Sequence, residues 1–361
     1  MAEHPAHLDS PGERTVGVLE VTPGHAEDVD GAGGRARRLA AAWLLGAAWM
    51  TVGALGILAV LRWLAWDAAE PLIVADALTP LLYLPAWAVL GGAVSTRRWL
   101  LAGAAAMVAA AQVAFVAPEL LAAGPVPAWA DHAPTLRVLD ANVDKSPTFE
   151  AGYRRALMVD HPDVVAFEEF TPTALASLET SGALRSLPYR CAEPAFGAVG
   201  LFAAARWPLT GCRVDSVLRD GGRAPFMLSA TLATPGGPVA LRVVHTLAPL
   251  PAYWHQWVAA LTALDRSVGV SGVHRMLMVG DFNATWGNRG FAALLADGLV
   301  DGAAARGQAL AMTWPDGAVV PPFVRIDHVL TGPGVAVTRI AAHAGFGSDH
   351  HYLTATVAIG R

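Results

Sequence analysis

The chain has 361 residues, a net charge of −5, a hydrophobic fraction of 54% and only 15% charged residues. That is too apolar for an ordinary water-soluble domain, and the excess is concentrated in residues 39–124. Residues 131–361 are almost neutral, with 19 acidic and 18 basic residues and no basic run, which argues against a reader of long polyanionic duplexes; two cysteines cannot build a metal knuckle alone.

Residues 1–38 carry Pro, Gly, His and acidic residues without apolar periodicity and read as a disordered cytoplasmic tail closed by Arg35, Arg37 and Arg38. Three apolar stretches follow over 39–124: Leu39 to about Trp66, Pro71 to Val94, and Trp99 to about Ala117. Each is long enough to span a bilayer, so a region of three transmembrane α-helices is expected. Arg62, near the end of the first, is expected to snorkel to the interface. Asp76 near the start of the second needs no functional role at that depth. The arginines of the tail and the Arg97-Arg98 loop fall on one side, and Asp67 and Glu70 on the other. The positive-inside rule then places the N-terminus in the cytoplasm and everything after the third helix outside the cell membrane. Residues 125–134, opening on Pro125-Val126-Pro127 after Gly124, read as a stiff linker.

From residue 135 to 361 the texture changes. Leu136–Leu139, Val164–Phe167, Val199–Ala204, Met227–Leu232, Val239–Val244, Met276–Val279, His328–Leu330 and Leu353–Val357 read as short strands, several buried on both faces. Phe149–Val159, Thr173–Thr180, Ala252–Val268 and Gly290–Ala296 read as helices. Alternation of this kind predicts a layered α/β domain.

At or near the ends of several strands stand short acidic, amide and histidine signatures: Asn142-Val143-Asp144, Glu168-Glu169, Gly280-Asp281-Phe282-Asn283, Arg325-Ile326-Asp327-His328 and Ser348-Asp349-His350. Carboxylates, amides and imidazoles delivered to one sheet edge are what a protein needs to hold a hard divalent cation and attack a phosphate ester. With LRVLDANVD, PDVVAFEEF, GLFAAARWPL, LRVVHTLAP, MVGDFNAT, RIDHVL and GSDHH in this order, residues 135–358 resemble the endonuclease/exonuclease/phosphatase superfamily. The resemblance implies a four-layer α/β sandwich, two packed mixed β-sheets flanked by helices, here preceded by the three membrane helices.

It also implies roles. Glu169 matches the metal-binding glutamate; Glu168, one residue earlier in an extended segment, points the other way. Asn142 and Asp144 match the first motif, and Asp349 would approach the same ion, Mg²⁺ or Mn²⁺. Asp281 would orient or deprotonate the attacking water, and Asn283 would donate to the phosphoryl oxygens. His350 is the essential imidazole and Asp327 the carboxylate that fixes its tautomer; the neighbouring His351 is turned away by strand alternation. His245 matches a second histidine that would contact the phosphate or protonate the leaving oxygen. Tyr253 is a candidate for a tyrosine that many nuclease members place near the phosphate. Arg206 and Arg325 read as structural ion pairs ahead of substrate contacts. Cys191 and Cys212 flank a strand and form either a disulfide or two buried thiols.

The expected function is a membrane-tethered, divalent-metal-dependent phosphoesterase, working on nucleic acid, a lipid head group or a small phosphoester. Basic DNA-penetrating loops and the substrate loops of inositol phosphatases are not recognisable. The competing reading is a catalytically silent domain of the same fold that binds a ligand at the membrane surface. No protein partner is identifiable from the sequence.

Overall fold

The computed structural model describes Met1 and residues 26–360, apart from 65, 145–148, 220, 318 and 346. The tail read over 1–38 lies outside the described residues from 2 to 25. Its remainder is helical: α1 runs Ala26–Leu64, ahead of the Leu39 boundary, because no proline stops a helix nucleated in the apolar stretch from propagating backward. The chain divides after Met50, within α1, into two units, 1–50 and 51–361; the second carries the helices that follow α1 and the sandwich.

Two helical segments, Gly34–Leu64 and α5 (Trp99–Leu120), are long and apolar enough to cross a membrane. The second apolar stretch is not one straight helix. It breaks into α2 (Glu70–Ala77), α3 (Thr79–Leu82) and α4 (Leu84–Ser95). The bend between Glu70–Ala77 and Thr79–Ser95 is 77°. Pro80 and Pro85 stand in the first turns of α3 and α4, where a missing N–H is tolerated but the preceding helix cannot continue. Arg62 does not snorkel. It is 7% exposed and donates to Asp76 Oδ1 at 3.1 Å, Thr79 Oγ1 at 3.0 Å and Gly287 O at 2.8 Å. A buried guanidinium needs a counter-charge, which gives Asp76 a structural role the sequence did not reveal.

The expected linker is strapped to the domain that follows it. Gly124 N–H donates to Ala305 O at 3.3 Å, and the Arg306 guanidinium donates to Gly124 O at 2.8 Å. A 3-10 turn at Ala128–His132 then leads into the sandwich.

Its strands, in chain order, are β1 (Thr135–Asn142), β2 (Val164–Glu168), β3 (Tyr189–Glu193), β4 (Leu201–Ala205), β5 (Leu209–Arg219) and β6 (Gly222–Thr234). They continue with β7 (Gly237–His245), β8 (Met276–Asp281), β9 (Val300–Asp301), β10 (Asp327–Thr331), β11 (Val335–His343) and β12 (Tyr352–Ile359). The interleaved helices are α6 (Phe149–Asp160), α7 (Pro172–Ser181), α8 (Trp254–Ser271), α9 (Arg289–Ala296) and the single turn α10 (Gly302–Ala305). One sheet has the order β11-β12-β1-β2-β4-β3 and the other β5-β6-β7-β8-β10-β9.

The two sheets face each other across an apolar core that includes Leu136, Val138, Val164 and Ala166 from the first and Leu228, Leu241, Val243 and Leu277 from the second. Tyr153, Leu157 and Leu178 of α6 and α7 cover the outside of the first sheet. Trp257, Leu261, Leu264, Phe291 and Leu294 of α8 and α9 cover the second, joined by Ile73 of α2. The domain is therefore the four-layer sandwich expected. Cys191 and Cys212 form a disulfide, Cα–Cα 5.9 Å, that ties β3 of one sheet to β5 of the other.

β1 and β2 are parallel, as are β7 and β8, while β10 and β12 run antiparallel to their neighbours. The C-terminal ends of the first four and the start of the last two thus meet at one edge. Every residue proposed from the sequence for catalysis lies there.

Candidate active site

Register builds the core of the site. In the second sheet His245 of β7 is level with Asp281 of β8, which is level with Asp327 of β10. In the first, Asn142 of β1 is level with Glu168 of β2. Three residues at these strand ends have left-handed backbone: Asp144 at φ 46°, Glu169 at 53° and Asn283 at 46°. Non-glycine residues seldom adopt this region, and it costs about 1 kcal/mol or more at each. The turn at Glu169 swings its carboxylate to the rim while Glu168 stays in the inter-sheet core. Gly280, at φ 131°, has no substitute, because a Cβ there would lie 2.0 Å from Val244 O.

Asp281 is the hub. Its Oδ1 accepts from Asn283 N–H at 2.7 Å. Its Oδ2 accepts from Asn142 Nδ2 at 3.0 Å and Asn283 Nδ2 at 3.2 Å. The same Oδ2 stands 3.7 Å from His245 Nε2 and 3.8 Å from His350 Nε2. Asn142 Nδ2 also reaches Glu169 Oε1 at 3.4 Å, and His245 Nε2 lies 3.8 Å from that oxygen. Asn142 Oδ1 accepts from Asp144 N–H at 2.9 Å. Asn283 Nδ2 donates in addition to Thr246 O at 2.9 Å. Both amides therefore hold the carboxylates in place in this state. His350 Nδ1 meets Asp327 Oδ2 at 3.0 Å, which leaves Nε2 facing the site. Asp349 accepts from Trp314 Nε1 at 3.0 Å through one oxygen and sets the other 3.9 Å from His350 Nε2. His351 turns outward, 3.5 Å from Asp316. Tyr253 sits under Arg219, 4.4 Å from guanidinium carbon to ring centre, and Arg206 pairs with Asp163 at 3.4 Å.

The charges follow from burial. Burial pushes Asp281 up to about 7, with His350 opposing the rise and Asp327 adding to it. Burial alone would strip His350 of its proton, but Asp327 and then Asp281 outweigh it and push the imidazole up to about 10. The site at neutral pH thus holds an imidazolium beside a carboxylate poised near neutrality, a pairing suited to acid–base work. Asp281, Asp327 and His350 bring ligand atoms within 4.8 Å of one another. On the Glu169 side, the Glu169 carboxylate and Asn142 Oδ1 offer oxygen donors of the kind a hard cation takes.

Several supporting contacts could not be read from the sequence. Ser348 donates to Asn142 O at 2.7 Å and accepts from His350 N–H at 3.0 Å, linking the first and last signatures. Thr246 donates to Phe282 O. Behind the site, Asp140 and Glu168 are fully enclosed, and their carboxyl groups have no hydrogen-bond partner other than each other among the described residues. Burial first, then the charge of Asp327 on Asp140 and of Asp140 on Glu168, drives both pKa values well up. Such groups stabilise the fold fully below the ordinary carboxylate value, and that contribution is lost as pH rises toward their folded values. Glu168→Gln, whose amide can donate to Asp140, is expected to raise stability by roughly 1–3 kcal/mol at pH 8 and by less at pH 5. Thermal melts with chelator at the two pH values measure the difference; an equal or lower melting temperature at pH 8 contradicts it.

Comparison with known proteins agrees with this architecture. The model of the endonuclease/exonuclease/phosphatase family matches residues 125–350. An endonuclease/exonuclease/phosphatase from Beutenbergia cavernae is 19% identical with a TM-score of 0.50, over 63% of this chain and 72% of its own. D. rerio TDP2, solved with a single strand DNA product, is 16% identical at a TM-score of 0.50, over 62% and 98%. The 3′ phosphatase NExo from Neisseria, bound to a product DNA hairpin, is 16% identical at 0.51, over 61% and 98%. At such identities these structures establish the fold alone. A search of curated proteins returns no match. With the family model covering well over half its length, the chain belongs to the endonuclease/exonuclease/phosphatase family and is a hydrolase of phosphoester bonds.

Proposed function

We propose that this chain is a membrane-tethered, divalent-metal-dependent phosphoesterase. The observation that carries the reading is the position of Asp281 Oδ2, held by Asn142 and Asn283 and flanked by both imidazoles at 3.7 and 3.8 Å. The carboxylate takes a proton from water, whose oxygen bonds to phosphorus as the ester P–O bond breaks; the leaving oxygen takes a proton from His245 or solvent. Protonated His350, oriented by Asp327, stabilises charge growing on the phosphoryl oxygens. Asn283 exchanges its bond to Thr246 O for one to a phosphoryl oxygen. Glu169, Asn142, Asp144 and Asp349 would hold Mg²⁺ or Mn²⁺, with Asn142 Nδ2 also reaching Glu169 Oε1 at 3.4 Å. The ion, when bound, supplies Lewis-acid charge neutralisation.

The tether reading is supported by the two span-length helices and the bent pair, which we assign as a third crossing. Charge asymmetry puts the N-terminus in the cytoplasm and the sandwich outside, where its disulfide would persist. The test is full-length protein in detergent with bis(p-nitrophenyl) phosphate. Turnover should appear with Mg²⁺ or Mn²⁺ and vanish with EDTA. Equal hydrolysis with and without chelator would remove the metal from the reading.

A further inference from the structure

The ends of the membrane helices meet the sandwich at the edge that carries the site. At the end of α1, Arg62 and Trp66 donate to Gly287 O, each at 2.8 Å. Asp67 accepts from Arg289 N–H at 2.6 Å and from Asn288 Nδ2 at 3.1 Å. Asn288 Nδ2 also reaches Ile73 O at 3.1 Å. The approach is so close that a Cβ on Gly287 would lie 2.0 Å from Asp76 O. At the end of α5, Glu119 pairs with Arg325.

Gly287 and Asn288 belong to the loop that leaves the C-terminal end of β8 just beyond Asn283, and Arg289 opens α9. Arg325 stands two residues ahead of Asp327, where β10 begins. From α5 the chain then runs down the domain, past Ala305, to reach the far edge at Pro134, whose carbonyl accepts from Ile359 N–H at 2.9 Å. The ends of α1 and α5 thus hold the loop after β8 and the start of β10 at the catalytic edge, and they also lie against α8 and α9 beside it, at Leu261, Asp265 and Leu295; the strand ends opposite the site lie away from these contacts.

The side chains at this level suit a headgroup layer. Trp63, largely exposed, and Trp66 mark the depth at which amphipathic rings settle between hydrocarbon and water. Loops around the site carry exposed apolar tips: Phe196 beside the Glu169 turn, Leu250 after His245, and Val319 and Val320 near Trp314. Exposed apolar residues also occur at the far edge, as at Val270, so exposure alone does not assign a face; the helix contacts do.

We infer that the catalytic edge faces the bilayer, and that the phosphoester cleaved there is carried by a lipid of the leaflet from which α1 and α5 emerge. This rests on the phosphoesterase reading above. The bond changes are those already given: water's oxygen joins phosphorus, and the alcohol released is the lipid or its head group.

Two measurements on the full chain, reconstituted in vesicles of phosphatidylcholine, phosphatidylglycerol and phosphatidic acid, decide it. Because the two native cysteines are joined, a nitroxide on Leu250→Cys or Phe196→Cys attaches at a single free thiol. Rim labels should favour oxygen over an aqueous nickel chelate at least threefold more than a label at Val270→Cys. In Mg²⁺, long-chain phosphatidylglycerol or phosphatidic acid should be hydrolysed with kcat/KM at least 100-fold above the dihexanoyl form below its micelle concentration. Rim labels as wet as the Val270 label overturn the inference. So does hydrolysis of bis(p-nitrophenyl) phosphate with no long-chain preference, which leaves the phosphoesterase reading standing on a soluble substrate. No hydrolysis of either diester or lipid removes that reading and the inference together.

Discussion

His350→Ala should lower kcat by about a thousandfold on any phosphodiester the protein accepts, with KM changed far less. The imidazole is 6% exposed, and its Nδ1 is occupied by Asp327 at 3.0 Å, so its proton at Nε2 is the one available to a substrate oxygen. Its charge should persist over the working range, because the folded pKa is pushed up to about 10. The sign is therefore definite: activity that needs the imidazolium is present below that value and is lost as pH rises through it. Asp327→Asn removes the larger of the two carboxylate influences that raise it, so the alkaline limb of the pH–rate profile should move to lower pH while the folded protein remains. An unmoved limb in Asp327→Asn, or near-native turnover in His350→Ala, would sink the assignment of this pair.

The strands that could be read from the sequence are the ones flanked by neighbours on both sides. β1, β2, β4, β6, β7, β8, β10 and β12 are interior to their sheets, and each was visible as a short apolar run. β3, β5, β9 and β11 were not seen, and these are the four edge strands. Tyr189–Glu193 and Leu209–Arg219 are mostly exposed or half-buried, so they lose the continuous apolar texture that marks a central strand. Helices on the sandwich were readable within two or three residues because their apolar faces cover a sheet. The break in the middle apolar segment was not, since hydropathy measures length and apolarity while Pro80 and Pro85 act on backbone continuity.

The site was legible where a motif names a residue type and opaque where geometry comes from the fold. The ordered signatures identified Asp281, Asp327, His350, His245 and Glu169, and the structure gathers all five at one edge. What they omit is the set of restraints: Ser348 bridging to Asn142 O, the left-handed turns, and the enclosed Asp140–Glu168 pair. Alternation correctly separates Glu168 from Glu169, yet nothing in it says that Glu168 will lie against another acid from β1. Long-range pairing of this kind is a property of the sheet order. The same holds for Glu119 and Asp301, whose partner is Arg325, more than two hundred residues after Glu119.

That guanidinium is the place where a single substitution should cost the most stability. Arg325 is 1% exposed. It pairs with Glu119 and donates to Asp301 Oδ2 at 2.6 Å and to Ala309 O at 3.1 Å. His328 Nδ1 also meets Asp301 Oδ2, at 2.8 Å. Arg325 and then His328 hold the Asp301 carboxyl well below the usual carboxylate range, against the pull of burial. Arg325→Met keeps most of the side-chain volume but leaves two enclosed carboxylates without their common cation. Breaking a buried ion pair from one side costs about 3–5 kcal/mol, a large part of the stability of most domains. The loss should appear as a lower melting temperature in detergent. It should also open the contact between α5 and the start of β10, so that limited proteolysis cuts near Gly124 at a rate the wild type does not show. Glu119→Gln, which removes one acid and keeps an acceptor for Arg325, should cost less than half as much. If Arg325→Met melts within one or two degrees of wild type and resists protease equally, the network contributes little, and the apolar helices are joined to the catalytic edge by the contacts at Gly287, Asn288 and Arg289 alone.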